Sequence, residues 1–191
     1  VLKTVWSPYQ KVDFIDAGEG CVAGSYNNLQ IWLACPDIEK DAELRKTLFS
    51  YITPNGGSVL VIGSGGGMGV QTILNNTPKK IVAVEVDPVV IDVMKNELSE
   101  HNGGVYRNAN VVPVAMEGRS YLESTNNTFD LILFEGLENS LPTISRSPIS
   151  VENYLHTKEG LAESLSHLSE EGNLVILQFN MPYIPRVYYG I

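Results

Sequence analysis

The sequence predicts an α/β domain with an open, doubly wound and mainly parallel sheet, preceded by a small unit of β-hairpins. From Ser58 onward, short apolar runs alternate with segments of helical periodicity, as in βαβ units. Before that point, alternating runs are separated by turn residues, as in antiparallel hairpins. A glycine-rich turn follows the first buried run directly, and sheets of this class bind ligands at the carboxyl ends of their strands.

The hairpin unit is assigned to residues 1–36. Lys11–Ile15 alternates polar and apolar residues, and Asp16–Gly20 is rich in turn-forming residues. Leu29–Leu33 then alternates again. Because these runs are short and close together in the chain, they predict antiparallel pairing.

Residues 37–191 are assigned to one Rossmann-like domain. It begins with a predicted helix at Asp37–Ile52, where apolar residues recur at near-helical intervals. Apolar runs predict five strands, at Val59–Ile62, Ile81–Glu85, Val111–Val114, Leu131–Glu135 and Leu174–Phe179. Periodic segments predict helices at Val70–Leu74, Pro88–Leu98 and Lys158–Leu168. The sequence stops soon after the fifth strand, so we expect the final strands of such a sheet to be missing from it.

The charge balance argues against nucleic acid as a partner. The chain has 22 acidic and 13 basic residues, a formal charge of −9, and no basic patch, so a phosphate backbone would be repelled. A small cationic substrate fits better. The sequence has neither an apolar run of 18 residues nor a signal-peptide pattern, so we expect a cytoplasmic domain, with any fused membrane segment outside this stretch.

The cysteine and histidine pattern predicts no metal site. Cys21 and Cys35 are the only cysteines, and they have neither CxxC spacing nor a neighbouring histidine cluster. We therefore expect no disulfide, no zinc and a reducing compartment. His101, His156 and His167 show no mutual spacing typical of metal ligands or of a nucleophile with its base.

The stretch Val59–Gly69 runs from a predicted buried strand into a glycine-rich turn that opens a helix. Glycine allows positive φ angles and lets a ligand approach the backbone. The dinucleotide pattern GxGxxG fails, because its third glycine would have to stand at Met68. Glycines at Gly63, Gly65 and Gly67 instead favour an uncharged, adenosine-type ligand; the alternative is a turn that is merely tight.

Acidic residues follow the predicted strands. Glu85 lies 22 residues after Gly63, close to the offset at which a carboxylate accepts hydrogen bonds from ribose hydroxyls. Asp87 is better placed to cap the following helix. Glu117 follows the third strand and would either accept a hydrogen bond from a base amino group or favour a helix start.

Two further glutamates follow the fourth strand. Glu135 stands at the strand end, where a carboxylate can act as a general base or hold an ammonium group. Glu138 either shares that role or only lines the loop. Ser140–Ser150 lacks periodicity, and it is either a lid over the ligand edge or a surface connection.

The order of these motifs resembles that of a known family. The motifs are Ser7-Pro-Tyr-Gln10, Val61-Ile-Gly-Ser-Gly-Gly-Gly67, Val84-Glu-Val-Asp-Pro88, Glu117-Gly-Arg119, and Phe129-Asp-Leu-Ile-Leu133 followed by Glu135 and Glu138. Together they resemble the spermidine synthase family, the polyamine aminopropyltransferases, and particularly its divergent members, some of which are fused to membrane-spanning segments.

The resemblance implies a class I methyltransferase-like fold. It implies transfer of an aminopropyl group from decarboxylated S-adenosylmethionine to a small amine, with no metal, because the sulfonium already activates the carbon that is attacked. The implied nucleoside-binding residues are Gln10, Gly63, Gly65, Gly67, Glu85 for the ribose and Glu117 near the adenine. The implied base is Glu135, with Glu138 beside it.

Two departures leave alternatives open. The family usually carries aspartates where Glu135 and Glu138 stand, and Ile31–Pro36 does not supply its Tyr-His-Glu motif, so the acceptor is not fixed. The alternatives are a methyltransferase that uses intact S-adenosylmethionine and a non-catalytic nucleoside-binding module of a larger protein. The hairpins or an exposed sheet edge would also allow a homodimer.

Overall fold

The computed structural model describes residues 1–37, 55–135 and 154–177. Its strands are β1 Lys3–Trp6, β2 Lys11–Gly18, β3 Cys21–Tyr26, β4 Leu29–Ala34, β5 Ser58–Ile62, β6 Lys80–Glu85, β7 Val111–Ala115, β8 Phe129–Glu135 and β9 Leu168–Leu177. Its α-helices are α1 Met68–Leu74, α2 Pro88–Asn96, α3 Gly118–Ser124 and α4 Lys158–Ser166. Short 3₁₀ segments occur at Ser99–Asn102, Val105–Arg107 and Tyr154–His156.

The first four strands form an antiparallel sheet in the order β1-β2-β3-β4. Positive φ angles occur in its turns: Glu19 and Gly20 join β2 to β3, and Asn27 and Asn28, a residue type that tolerates this region, join β3 to β4 with φ of 50° and 70°. The predicted hairpin unit is therefore present. It also contains β1 and β3, which the sequence patterns had not delimited.

The other five strands form a parallel sheet in the order β7-β6-β5-β8-β9. The first strand of this sheet along the chain, β5, is central. The chain then adds β6 and β7 on one side of β5, and crosses over to add β8 and β9 on the other. This doubly wound order confirms the predicted fold class. It also places the point at which the direction of winding reverses at the end of β5, where such sheets bind ligands.

Alternate residues of β5 explain how the layers pack. Val59 and Val61 join a core with α1, α2 and the antiparallel sheet, while Leu60 and Ile62 join a second core with α3 and α4. Because both faces of the strand are covered, its sequence is apolar throughout. The antiparallel sheet therefore packs over the face of the parallel sheet that carries α1 and α2.

Two expectations need correction. Cys21 and Cys35 form a disulfide. Val22 pairs with Ala34 across β3 and β4, and this register brings the flanking cysteines to a Cα–Cα distance of 4.1 Å. The cysteines thus give no support for a reducing compartment. The last described strand, β9, begins six residues before the predicted Leu174, because its first residues dock on β8 ahead of an irregular register.

Several expectations lie outside the described residues: most of the helix at Asp37–Ile52, Glu138, the loop Ser140–Ser150 and any strands after β9. In the part of the chain that the structure covers, no helix has the length and apolar character needed to cross a bilayer.

Candidate functional site

The strand register gathers the predicted site residues at one edge of the parallel sheet. Ile62, the last residue of β5, pairs with Val84 of β6 on one side and with Phe134 of β8 on the other. The next residue of each neighbour is therefore Glu85 or Glu135. These two carboxylates flank the point at which the chain leaves β5 for the glycine-rich turn.

The turn has the backbone geometry that its glycines predict. Gly63, Gly65 and Gly67 have φ of 80°, 49° and 99°, all in the region that residues with a Cβ avoid. The Val84 carbonyl accepts hydrogen bonds from the amides of Gly63 at 2.9 Å and Ser64 at 3.0 Å, which ties the turn to β6. The chain then enters α1, with Gly67 at the N-cap position.

Glu85 lies beneath this turn and is bonded to it. Its Oε2 accepts a hydrogen bond from the Gly65 amide at 2.9 Å, and its Oε1 accepts one from the Asp87 amide at 3.1 Å. The side chain is 5% exposed, and burial raises its pKa, while these two hydrogen bonds oppose the rise. Asp87 caps α2 through the Val89 amide, as predicted, and Pro88 occupies the first turn.

Two successive 3₁₀ segments after α2 hold the other side of the turn. The Tyr106 hydroxyl donates to the Gly65 carbonyl at 2.7 Å and lies 3.0 Å from the Ser64 hydroxyl oxygen. The Asn102 amide donates to the Gly66 carbonyl at 3.1 Å. Both side chains are fully buried, so these contacts fix the turn from within the core.

The antiparallel sheet covers the turn with Trp32. A Cβ at Gly65 would lie 3.1 Å from this indole, and one at Gly66 would lie 2.6 Å from it. On the β3 side, a Cβ at Gly24 would also overlap the ring. The indole nitrogen donates to the Tyr26 hydroxyl at 3.1 Å. Trp32 therefore lies between a glycine of β3 and the glycines of the turn, and part of the glycine content serves this packing.

Glu117 caps α3 in this structure. Its carboxylate accepts hydrogen bonds from the amides of Arg119 at 3.0 Å and Ser120 at 2.8 Å. It remains half-buried at the carboxyl end of β7, beside Met116, which is 38% exposed. The Met116 amide donates a hydrogen bond to the Glu85 carbonyl. The apolar side chain of Met116 therefore lies close to Glu85, the residue predicted to bind the ribose.

Glu135 faces the start of α1. Its Oε2 accepts a hydrogen bond from the Gly69 amide at 3.1 Å, and a Cβ at Gly69 would overlap the carboxylate. The side chain is half-buried, so it is held in place yet reachable from solvent. Gly69 is thus a glycine because a carboxylate approaches its backbone closely.

Gln10 lies in the turn between β1 and β2, where its backbone bonds to Ser7. Among the residues that the structure describes, no hydrogen bond joins its side chain to the glycine-rich turn. Its place in the site stays a prediction. Within the same residues, no group of three or more His, Cys, Asp or Glu side chains is arranged to hold a metal ion.

Sequence patterns missed Trp32, Tyr26, Asn102 and Tyr106. The tryptophan stands in an alternating run in which every second residue is expected to face a core, so nothing marks it as a neighbour of the turn. Asn102 and Tyr106 lie in a stretch without periodicity. The only signal there is the pair Gly103 and Gly104, which predicts a reversal of the chain but no contact.

A family model described as the spermine/spermidine synthase domain matches residues 47–188, well over half of the chain. The chain belongs to the spermine/spermidine synthase family. This confirms the resemblance drawn from the motifs.

Curated relatives agree with this membership. A polyamine aminopropyltransferase from Saccharolobus solfataricus is 26% identical over 195 residues, covering 100% of this chain and 62% of that protein. One from Sulfurisphaera tokodaii is 26% identical over 180 residues, covering 92% of this chain and 55% of the relative. One from Oceanobacillus iheyensis is 28% identical over 137 residues, covering 70% and 25%. This family member thus spans 25% to 62% of the length of these relatives.

Solved structures agree in fold. Spermidine synthase from Thermotoga maritima superposes with a TM-score of 0.68 at 21% identity, covering 91% of this chain and 55% of that chain. A spermidine synthase in complex with the transition-state analogue AdoDATO gives a TM-score of 0.67 at 21% identity, with the same coverage. The methyltransferase-like fold predicted from the motifs is therefore confirmed.

Proposed function

We propose that this chain is the nucleoside-binding part of an aminopropyltransferase that uses decarboxylated S-adenosylmethionine. The observation that carries the proposal is the strand register, which places Glu85 and Glu135 on either side of the turn after β5. One carboxylate serves the sugar and the other serves the amine. The two carboxylates lie at the same edge of the sheet, and a transfer reaction requires its two reactants to be bound next to each other.

The nucleoside half of the proposal is supported by Glu85 and its neighbours. A carboxylate at the end of β6 is positioned to accept hydrogen bonds from ribose hydroxyls. Glu85 accepts from two backbone amides, and a carboxylate has enough lone pairs to accept further hydrogen bonds. Val86 and Met116 come directly after the adjacent strands β6 and β7, and the apolar side chains are half-buried and exposed, respectively. A flat base gains free energy by covering such a surface. Glu117 lies next to Met116, where its carboxylate would accept a hydrogen bond from the amino group of the base.

The transfer half of the proposal rests on Glu135. In the proposed reaction, the amine nitrogen forms a bond to the sulfonium-linked methylene of the aminopropyl group. The carbon–sulfur bond breaks, its electron pair stays on sulfur, and neutral methylthioadenosine leaves. Glu135 takes the proton that the amine must lose. The net charge of −9 favours approach of a cationic acceptor.

The roles of Gln10, Glu138 and the loop Ser140–Ser150 remain parts of this proposal that rest on the motifs. So does the identity of the acceptor, because Ile31–Pro36 does not carry the family's Tyr-His-Glu motif. We infer only that the acceptor is a small amine.

Titration calorimetry tests the nucleoside half. The ligands are decarboxylated S-adenosylmethionine, S-adenosylmethionine and methylthioadenosine. We expect the decarboxylated form and methylthioadenosine to bind, and the form with the amino-acid carboxylate to bind more weakly, since it would meet acidic side chains. Tighter binding of intact S-adenosylmethionine would favour methyl transfer instead. Binding of none of the three would refute the proposal.

The variant Glu135→Gln tests the transfer half. It keeps the size of the side chain but cannot accept the proton, so turnover should fall by a factor of about 10² to 10⁴, whereas nucleoside affinity should hold. Glu170→Gln is the matched control, because Glu170 is an exposed glutamate on β9 away from the turn. Product formation is measured as methylthioadenosine released. A wild-type chain that binds nucleoside without turnover would instead support a binding module.

A further inference from the structure

We propose that Tyr106 is a positioning residue of the nucleoside site, whose hydroxyl acts through the peptide groups of Gly65 to hold Glu85 in its binding orientation. The inference rests on the proposed function, since it assigns a role within the same site. It concerns a buried residue that lies behind the turn.

The hydroxyl of Tyr106 has one proton and two neighbours. The Gly65 carbonyl lies 2.7 Å away and the Ser64 hydroxyl oxygen lies 3.0 Å away. A carbonyl can only accept, whereas the serine hydroxyl can also donate. The phenolic proton therefore goes to Gly65, and Ser64 is free to donate to the phenol oxygen. Burial raises the pKa of Tyr106, so this proton stays in place across the working pH range.

Gly65 links this bond to Glu85. Its amide donates to Glu85 Oε2 at 2.9 Å, and its carbonyl accepts from Tyr106. Its φ of 49° lies in a region that glycine enters and leaves at little cost, so its conformation depends on its contacts, which are these two hydrogen bonds and the packing of Trp32. Loss of the carbonyl contact would let the residue rotate and weaken its hydrogen bond to the carboxylate.

The surroundings make Tyr106 a rigid support. It is 1% exposed and belongs to the main core. Its neighbour Val105 packs where a Cβ of Gly67 would lie, at 2.6 Å, and Asn102 binds the Gly66 carbonyl. Residues of two successive 3₁₀ segments thus hold three consecutive glycines of the turn. A tyrosine needed only for volume would not require a hydroxyl aimed at the turn.

The same arrangement predicts a change in the pH dependence of binding. Glu85 accepts hydrogen bonds from the ribose more strongly when it is ionised, and the Gly65 amide is one of the groups that lower its pKa against the effect of burial. Asp87, Tyr26 and Tyr106 are the other titratable groups that face it. A weaker Gly65 contact should therefore move the acid limb of nucleoside binding to higher pH.

The test compares Tyr106→Phe with Tyr121→Phe in the 191-residue chain. Tyr121 is a buried tyrosine of α3, so its variant removes a hydroxyl from the second core instead. Methylthioadenosine affinity is measured by calorimetry between pH 4.5 and 8. We expect Tyr106→Phe to weaken binding about fivefold, the equivalent of one hydrogen bond, and to raise the pH midpoint of its acid limb. Tyr121→Phe should change neither.

The outcomes separate the two proposals. If the wild type binds methylthioadenosine and Tyr106→Phe binds it with unchanged affinity and pH midpoint, the positioning role is wrong and the proposed function stands. If Tyr106→Phe lowers only the melting temperature, the tyrosine is a core residue, and the inference is again wrong. If the wild type binds no nucleoside, the proposed function fails and this role fails with it. The phenyl ring preserves the core volume, so we expect the variant to fold.

Discussion

Replacing Gly66 by alanine would reveal how far the protein itself, and not a ligand, requires the glycine-rich turn. An added Cβ would lie 2.6 Å from Trp32 Cε3 and 2.7 Å from Ala34 Cβ. Carbon atoms in contact prefer about 3.5 to 4.0 Å. Gly66 does not have a positive φ, so backbone strain contributes little. The substitution therefore acts through the steric overlap of the new Cβ with side chains of the antiparallel sheet. We expect this overlap to lower the free energy of unfolding by about 1 to 3 kcal/mol.

The effect is large enough to measure by thermal unfolding. For a chain of this size, 1 kcal/mol shifts the melting temperature by about 2 to 4 °C. We expect Gly66→Ala to lower the melting temperature by roughly 4 to 8 °C for a cost of about 2 kcal/mol. Gly104→Ala is the control, since a Cβ there meets nothing within 4 Å and its φ of +69° adds only strain.

The two glycines differ in how they respond to a smaller residue at position 32. Trp32→Leu should relieve part of the overlap in Gly66→Ala, which gives a coupling free energy of at least about 0.5 kcal/mol. It should leave the cost of Gly104→Ala unchanged. Additive effects in both double variants would refute the claim that Trp32 packing requires Gly66.

The remaining predictions concern a helix cap and the response to acid. Glu117→Ala should lower the free energy of unfolding by about 1 kcal/mol, because it removes the N-cap of α3; urea unfolding measures this, and an unchanged midpoint would contradict the cap. Burial raises the pKa of Glu85, so the folded state binds this proton more tightly than the unfolded state. Stability should therefore rise as the pH falls from neutrality towards 4.5, and Glu85→Gln should abolish the rise. Hydrogen bonds from Ser169 and Ser58 lower the pKa of Asp130, so its contribution should be lost below pH 3.8, and Asp130→Asn should remove that loss.

The parallel sheet was predictable because its strands are covered on both faces. Such strands are apolar runs bounded by turns, and β5, β6, β7 and β8 were each placed within two residues at either end. The helix α3 was missed for the opposite reason. Its seven residues contain only two buried large side chains, Tyr121 and Leu122, too few to show a period. It forms because Glu117 caps it and those two side chains reach the second core.

Features that depend on partners far along the chain were less predictable. The start of β9 is set by Asp130, which accepts from the Ser169 hydroxyl, and by the Phe129 amide, which donates to the His167 carbonyl. The disulfide depends on the register of β3 with β4, which places Cys21 opposite Cys35. No local pattern at either cysteine reports that register.

The residues of the candidate site also fall into two groups, those that a local sequence pattern predicts and those that depend on distant parts of the chain. The positions of Glu85 and Glu135 were predictable because parallel strands bring their carboxyl ends to one edge, so a residue at a strand end is located once the strand is. Glu117 was left between two roles, and the described structure shows one of them, the helix cap. Its contact with a base stays a prediction. Tyr106 and Trp32 reach the turn from other layers, and a packing contact between layers has no fixed spacing in the sequence.

The glycine-rich turn therefore carries two kinds of constraint, which the sequence presents as one motif. Gly66 is small because Trp32 and Ala34 press against it, and Gly67 because Val105 does. These requirements would hold in a protein that bound nothing. What distinguishes a nucleoside site is the placement of Glu85, a buried carboxylate that the fold keeps beneath the turn against the cost of burying its charge. An apolar residue there would leave the Gly65 and Asp87 amides without their acceptor. Two amides use only part of the acceptor capacity of a carboxylate, so Glu85, more than the glycines, supports a binding role.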